Sequence, residues 1–255
     1  MASVHHDSMQ HFASGAWTLV LAFAVSVIGS LIGLSCTRRA RGETSRAARF
    51  RWITFGAVAI GGVAIWLMHF IAMLGFDIPG AAIKFSTGLT ALSALVAVVV
   101  VGIGLALVAW SGFTRTRLVI AGVLAGTGVA GMHYLGMSAI RFKGHLNYDP
   151  SLVTLSVVIA IAAATAAFWF TLVVKTPGAS VAAGLAMAVA VTGMHYTGMA
   201  AVSVTPDVSV PAPQGTDVFN LVFPVFVISG VVVGAMLWTL FTTTKSLNEP
   251  AGYAR

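Results

Sequence analysis

The stretch Gly193-Met194-His195-Tyr196-Thr197-Gly198-Met199 lies near the end of a long apolar run, and it has two near copies earlier in the chain. These copies are Leu67-Met68-His69-Phe70-Ile71-Ala72-Met73 and Gly131-Met132-His133-Tyr134-Leu135-Gly136-Met137. Each copy contains a Met-His pair and a second Met four residues after the His. Because the three histidines are 64 and 62 positions apart, a unit of the chain has been repeated together with its His and Met residues.

The composition is that of a membrane protein. Of the 255 residues, 58% are hydrophobic and 8% are charged, whereas soluble domains are roughly 45–50% apolar and 25% charged. The net charge of +7 does not indicate nucleic-acid binding, because the densest positive cluster lies between two apolar runs, where membrane topology explains it. The single Cys36 excludes an internal disulfide framework and a Cys-cluster zinc site. We therefore expect a lipid bilayer, and no nucleic acid, as a partner.

Seven apolar stretches are long enough to cross a membrane as helices, for which about 20 residues are needed. They cover residues 13–35, 52–75, 86–110, 118–140, 152–174, 179–204 and 218–241. The sequence thus predicts an all-α integral membrane protein with seven transmembrane helices built from repeated two-helix units. Residues 1–12 are predicted to form an outer N-terminal tail, residues 13–241 the seven-helix membrane domain, and residues 242–255 a cytoplasmic tail.

The orientation follows from the arginines between the first two spans, since loops rich in Lys and Arg stay in the cytoplasm. This loop region contains one Glu43 and six arginines, Arg38, Arg39, Arg41, Arg46, Arg49 and Arg51. The N-terminus is then outside and the C-terminus inside. Spans two, four and six run outward, and each motif His lies some turns before the outer end of its span. At 1.5 Å per residue the three histidines share one depth, roughly 10–15 Å below the outer boundary.

The motif spacing places a His and a Met on one helix face, because residues four apart differ by about 40° around the helix. Intramembrane His is a candidate for a functional site, and imidazole with thioether suits copper. Magnesium and calcium would require carboxylates, which the spans lack, and zinc gains little from Met. The candidate copper ligands are Met68, His69, Met73, Met132, His133, Met137, Met194, His195 and Met199.

Structural roles compete with ligation at these positions. An intramembrane His also forms hydrogen bonds between helices, Met fills gaps, and the motif glycines are interpreted as positions of close helix packing. Threefold repetition at matched depth favours ligation for the His/Met set. The hydroxyls of Tyr134 and Tyr196 are candidate hydrogen-bond donors, to a bound ligand or to a group that orients a metal ligand. The alternative is that their rings only anchor a packed helix. Phe70 shows that one repeat lacks the hydroxyl.

These residues resemble the MHYT domain family, which is named for the phrase that Met194-His195-Tyr196-Thr197 matches literally. Met132-His133-Tyr134-Leu135 departs at its last position, and Met68-His69-Phe70-Ile71 at its last two. The likeness extends over about residues 17–241. It implies a sensor domain of the bacterial inner membrane that holds copper near the outer face and senses a diatomic gas, such as oxygen, carbon monoxide or nitric oxide.

The resemblance also bears on output. Many relatives continue into cytoplasmic domains that make or degrade cyclic di-GMP, whereas only residues 242–255 follow the last span here, too few for a folded domain. We therefore expect that the chain is not an enzyme and that a signalling partner or a homo-oligomer passes on the signal. No acid/base carboxylate or acyl-transfer triad lies near the motifs.

Two other functions remain open. Copper transport or storage would use the same ligands, although the inner halves of spans two, four and six are mostly apolar and offer few polar groups for a route. Haem binding by paired histidines from different helices would use them too, since His and Met are both axial ligands.

Overall fold

The computed structural model describes residue 13, residues 15–110 and residues 114–248. The predicted N-terminal tail and the last residues of the predicted C-terminal tail lie outside this part of the chain. Within it, seven helices are long and apolar enough to span a membrane, which confirms the predicted architecture. They are α1 (Trp17–Gly42), α2 (Arg46–Met73), α3 (Thr87–Trp110), α4 (Arg115–Ser138), α5 (Pro150–Val173), α6 (Pro177–Ala200) and α7 (Val218–Asn248).

The helices alternate in direction, so the bundle has two distinct ends. We call the end that holds the α1–α2, α3–α4 and α5–α6 connections the Arg-rich end. The opposite end is the strand end. Side-chain caps start four of the helices by accepting from free backbone N–H groups; the capping residues are Ser45, Thr114, Asp149 and Thr176. Pro150 and Pro177 occupy the first turn of α5 and α6, where a missing N–H costs nothing.

Short antiparallel strands close the strand end. β1 (Lys84–Phe85) pairs with β2 (Ile140–Arg141), and β3 (Gly144–Tyr148) pairs with β4 (Val202–Pro206) with Tyr148 opposite Val202. A bridge from Phe85 to Thr216 ties in the connection to α7. The three loops that follow the motif helices are therefore joined to one another above the bundle.

Some helix bounds differ from the prediction. The sixth span was predicted to reach residue 204, but α6 ends at Ala200 and the following residues form β4. These residues include β-branched side chains and pair with β3. An apolar run of this kind is compatible with either a helix or a strand, so the pattern did not distinguish them. α1 continues to Gly42 and α7 to Asn248, beyond the predicted ends of the first and seventh spans.

Helix α2 is the centre of the bundle. In its most apolar window 83% of the residues are buried, against 44% or less in the other six spans. Gly29 of α1 packs directly on it, because a Cβ on Gly29 would lie 2.5 Å from the backbone nitrogen of Ala64. Gly61 likewise faces the α3 backbone, with its Cβ position 2.6 Å from the carbonyl oxygen of Ala97. Glycine is required at both close approaches.

A π-helical section interrupts α2 at Val58–Leu67 and ends directly before Met68 and His69. Such wider turns occur mostly as short insertions in α-helices and are frequent at functional sites. Periodicity along the sequence did not predict this section, since its residues are apolar throughout and mark no helical phase.

Candidate metal centre

The three motif histidines meet at one point inside the bundle. His69 of α2, His133 of α4 and His195 of α6 are each at most 2% exposed. The Nδ1 atom of His69 lies 3.0 Å from Nδ1 of His195 and 3.2 Å from Nδ1 of His133. All three histidines lie four or five residues before the ends of their helices at the strand end. They therefore share one level and converge, as expected. They lie about 6–8 Å from the helix ends and not 10–15 Å, because all three helices end before the predicted spans do.

The three rings are arranged with near-threefold regularity. Their centroids are 5.0, 5.0 and 5.1 Å apart for the pairs 69–133, 69–195 and 133–195. The corresponding interplanar angles are 79°, 78° and 86°. Each pair of rings is thus close to perpendicular, and the Nδ1 atom of His69 approaches those of the other two histidines.

A chain of hydrogen bonds passing through the three Nδ1 atoms does not account for these contacts. An imidazole Nδ1 carries either one hydrogen or one lone pair, so His69 cannot donate to one neighbour and accept from the other with the same atom. Three neutral rings with their hydrogens on Nε2 would direct three lone pairs at the centre, and a cation satisfies all of them. Nitrogens bound at about 2.0–2.1 Å to one ion lie about 3.3–3.6 Å apart. The observed separations of 3.0 and 3.2 Å differ from this by a few tenths of an ångström, so the residues fit a metal ion.

Two motif glycines hold the rings in this orientation. A Cβ built on Gly136 would lie 2.6 Å from Nε2 of His69, and one on Gly198 would lie 2.5 Å from Nε2 of His133. The rings of His69 and His133 therefore each rest with the Nε2 edge on the glycine of another motif helix. Nε2 of His133 has no hydrogen-bond partner among the described residues. Close packing takes the place of the acceptor that usually orients a metal-binding His.

The other motif glycines behave differently. A Cβ on Gly131 or on Gly193 would meet nothing within 4 Å. The interpretation of all the motif glycines as positions of helix packing is thus wrong for these two, which face open space. It is also incomplete for Gly136 and Gly198, which make room for an imidazole. In the first repeat the equivalent position is Ala72, which is buried.

The aromatic residue after each His packs edge-on against that His. The ring centroids are 5.6 Å apart for His69 and Phe70, 4.9 Å for His133 and Tyr134, and 5.0 Å for His195 and Tyr196, with interplanar angles of 80–81°. This contact is common to all three repeats and needs no hydroxyl.

The hydroxyl of Tyr134 has a partner outside the centre. It lies 2.7 Å from the Ser156 hydroxyl of α5, and its ring packs on Tyr148 of β3 at 5.6 Å. Tyr134 thus joins the motif helix to α5 and to the strand end.

The six motif methionines are all buried, and they lie on both sides of the histidines. Met73 contributes to a pocket near the strand end together with Trp17 and Phe76. Met194 lines a cavity toward the Arg-rich end. The other four buried methionines are Met68, Met132, Met137 and Met199. Buried methionines therefore lie along the motif helices on either side of the histidines.

Titratable groups also lie at the strand end, outside the three-histidine cluster. His145 of β3 is exposed and lies 3.5 Å from the Asp207 carboxylate. Hydrogen bonds from Ser209 lower the pKa of Asp207 below its ordinary value, with a smaller effect of His145. Burial, followed by the nearby Tyr134, raises the pKa of Tyr148. The three central histidines form a cluster without carboxylates in the described part of the chain.

Seven spans and a buried three-histidine cluster, with one histidine from each repeat, define an integral membrane domain with a candidate metal centre. The chain belongs to the MHYT family, a family of membrane sensor domains. The family model is described as a bacterial signalling protein N-terminal repeat, and it matches residues 62–121, 126–184 and 189–252. Each matched segment contains one motif His.

Similar proteins are bacterial signalling proteins. The chain is 37% identical over 182 residues to the bifunctional diguanylate cyclase/cyclic di-GMP phosphodiesterase MucR of Pseudomonas aeruginosa. That alignment covers 69% of this chain and 26% of MucR. It is 30% identical over 237 residues to the cyclic di-GMP phosphodiesterase NbdA of the same organism. That alignment covers 88% of this chain and 29% of NbdA. Signaling protein YkoW of Bacillus subtilis is 30% identical to the chain, in an alignment that covers 79% of this chain and 26% of YkoW.

The chain therefore spans about a quarter of the length of these relatives, and it matches their MHYT region. No solved structure matches the chain significantly.

Proposed function

We propose that the chain is a copper-binding sensor domain whose metal is held by Nδ1 of His69, His133 and His195. The observation that carries this proposal is the convergence of three buried Nδ1 atoms, 3.0 and 3.2 Å apart along two sides of their triangle. Three nitrogens leave a coordination position for a further ligand. We assign the supplementary sulfur ligands to the six motif methionines, Met68, Met73, Met132, Met137, Met194 and Met199.

Several observations favour copper over other metals. Imidazole and thioether are the ligands that copper accepts in either oxidation state, and thioether selects Cu(I). The cluster contains no carboxylate, which disfavours magnesium and calcium. When bound, copper would supply a site for a diatomic gas such as oxygen, carbon monoxide or nitric oxide. Tyr134 and Tyr196 would support the centre by fixing the rings of His133 and His195.

The alternatives fit the geometry less well. Haem would require two imidazoles on opposite faces of a macrocycle, whereas the centroids of the three rings are only 5.0–5.1 Å apart and leave no room for one between them. Copper transport would require polar groups leading away from the centre, whereas the adjoining cavity toward the Arg-rich end is lined mainly by Ala, Val and Ile.

The Arg-rich end is proposed to face the cytoplasm of a bacterial inner membrane, with the N-terminus outside and residues 13–241 as the membrane domain. The copper centre then lies near the outer face. Relatives named as cyclic di-GMP enzymes suggest that the sensed state reaches such an output through a signalling partner or through a homo-oligomer of this chain.

The test is metal analysis of the detergent-purified chain and its variants. His133→Ala and His195→Ala should each lower bound copper sharply while membrane insertion is retained, because the apolar lengths are unchanged. His145→Ala is the matched control, since His145 is an exposed histidine outside the centre. Full copper content in both central variants would refute the ligand assignment. An intense Soret band would favour haem, and accumulation of radioactive copper in proteoliposomes would favour transport.

A further inference from the structure

A cavity lies directly beneath the three histidines, on the side of the Arg-rich end. Ile65, Val129 and Val191 each precede a motif His by four residues, and all three line this cavity. Residues four apart lie one turn apart on the same helix face, about 6 Å along the axis. The cavity therefore begins one turn below the imidazoles and continues toward the middle of the membrane.

The cavity is large enough for small molecules. It offers about 40 Å³ to the centre of a water-sized sphere, whereas the whole volume that one water-sized sphere occupies is about 10–15 Å³. The side chains that line it are mostly small and apolar, because α5 contributes Ala160, Ala164 and Ala167. Phe168 of the same helix also lines the cavity.

The lining also lacks the polar groups that water or an ion would need. It contains two hydroxyl residues, Ser30 and Thr171. The Thr171 hydroxyl donates to the carbonyl oxygen of Phe168 at 2.7 Å. The Ser30 hydroxyl is buried without a hydrogen-bond partner among the described residues. An ordered water needs two to four polar partners, and apolar cavities of this kind stay dry and take up ligands such as xenon.

We propose that this cavity is a binding site for a small, uncharged, apolar molecule of the size of a diatomic gas. The Ser30 hydroxyl supplies one donor to an occupant with a weak acceptor atom. Met194 lies on the cavity wall next to His195, so an occupant contacts a motif residue directly. The transfer of this occupant to a metal rests on the proposed copper function, whereas its binding in the cavity does not.

Xenon is the probe for the test, because it is apolar and is located directly by anomalous scattering. Crystals of the copper-loaded full chain under xenon pressure should show a xenon site bounded by Val129, Ala164 and Met194. Ala164→Leu should remove this site by filling the cavity. Ala162→Leu is the matched control, because Ala162 lies on the exposed face of the same helix. It should bind xenon as the parent chain does.

Absence of xenon from the parent cavity, or undiminished occupancy in Ala164→Leu, would overturn the proposal. If that variant does not fold, Ala164→Val should lower the occupancy through the smaller added volume, and unchanged occupancy would again overturn it. Copper content measured on the same samples separates the two ideas. Xenon without copper would refute the copper sensor alone, and copper without xenon would refute the cavity site alone.

Discussion

Replacement of Gly198 by alanine tests whether the glycine positions His133 for metal binding. The new Cβ would lie 2.5 Å from Nε2, 2.9 Å from Cδ2 and 3.3 Å from Cε1 of the imidazole. Ordinary contacts between such atoms are about 3.5–4.0 Å, so the ring or the helix has to retreat by about 1 Å. Metal sites tolerate about 0.2 Å in ligand distance. His133 would therefore leave the position in which its Nδ1 faces that of His69.

We expect Gly198→Ala to weaken copper binding more than it lowers the stability of the fold. Changes to residues that orient metal ligands typically weaken binding by about 10–100-fold, and we expect a loss of this size. Overpacking lowers the free energy of unfolding by about 1–3 kcal/mol, whereas replacement of Gly by Ala within a helix raises it by about 1 kcal/mol. The variant should thus fold, with its free energy of unfolding lowered by about 2 kcal/mol or less.

The assay is competition for copper between the purified chain and a Cu(I) chelator. Gly193→Ala is the matched control, since it adds the same methyl to the same helix where nothing lies within 4 Å. It should bind copper as the parent chain does. Equal copper affinity of the Gly198 and Gly193 variants would refute the positioning role of Gly198, and a substantial loss in Gly193→Ala would show that any methyl on this helix is sufficient.

Three further predictions concern other parts of the fold. Gly29→Ala should destabilise the bundle by about 1–3 kcal/mol in a detergent-unfolding assay, since its Cβ would meet the α2 backbone; unchanged stability would contradict that close approach. Ser93→Ala removes a buried 2.9 Å hydrogen bond from Trp66 and should cost about 0.6 kcal/mol, at most about 1.7, with a shift in Trp66 fluorescence; an unshifted spectrum would contradict this bond. The raised pKa of Tyr148, caused mainly by burial, stabilises the folded state below the ordinary value of about 10 and is lost as pH rises through the folded value. Thermal unfolding at pH 9–12 should therefore depend on pH more steeply in the parent chain than in Tyr148→Phe, and parallel curves would exclude this effect.

The spans and the common level of the three histidines could be predicted because both depend on local properties of the chain. Apolar length determines how much helix crosses the membrane, and a fixed rise per residue converts the position of His69, His133 or His195 in its span into a depth. The repeat then implies that three helices present the same group at the same level. That reasoning needs no knowledge of which helices touch.

The orientation of the rings could not be predicted in this way. His69 rests on Gly136 and His133 on Gly198, and each contact joins residues more than sixty positions apart on different helices. No local pattern records such a contact, and a motif glycine that accommodates a ring reads the same as Gly131, which faces open space. The end of α6 was mispredicted for a similar reason, because β4 forms through pairing with β3 and not through its own composition.

The repeated motif describes a mutual arrangement of helices. Each copy supplies a His to the centre, an aromatic residue that packs on that His, and, three positions after the His, a small residue. In the second and third copies this small residue receives the imidazole of another copy, as Gly136 receives His69 and Gly198 receives His133. One copy alone therefore has neither the other nitrogens nor a surface to hold its own ring. The Nδ1 atoms meet because α2, α4 and α6 are placed together, so any ligand that moves one imidazole acts on two helices at once.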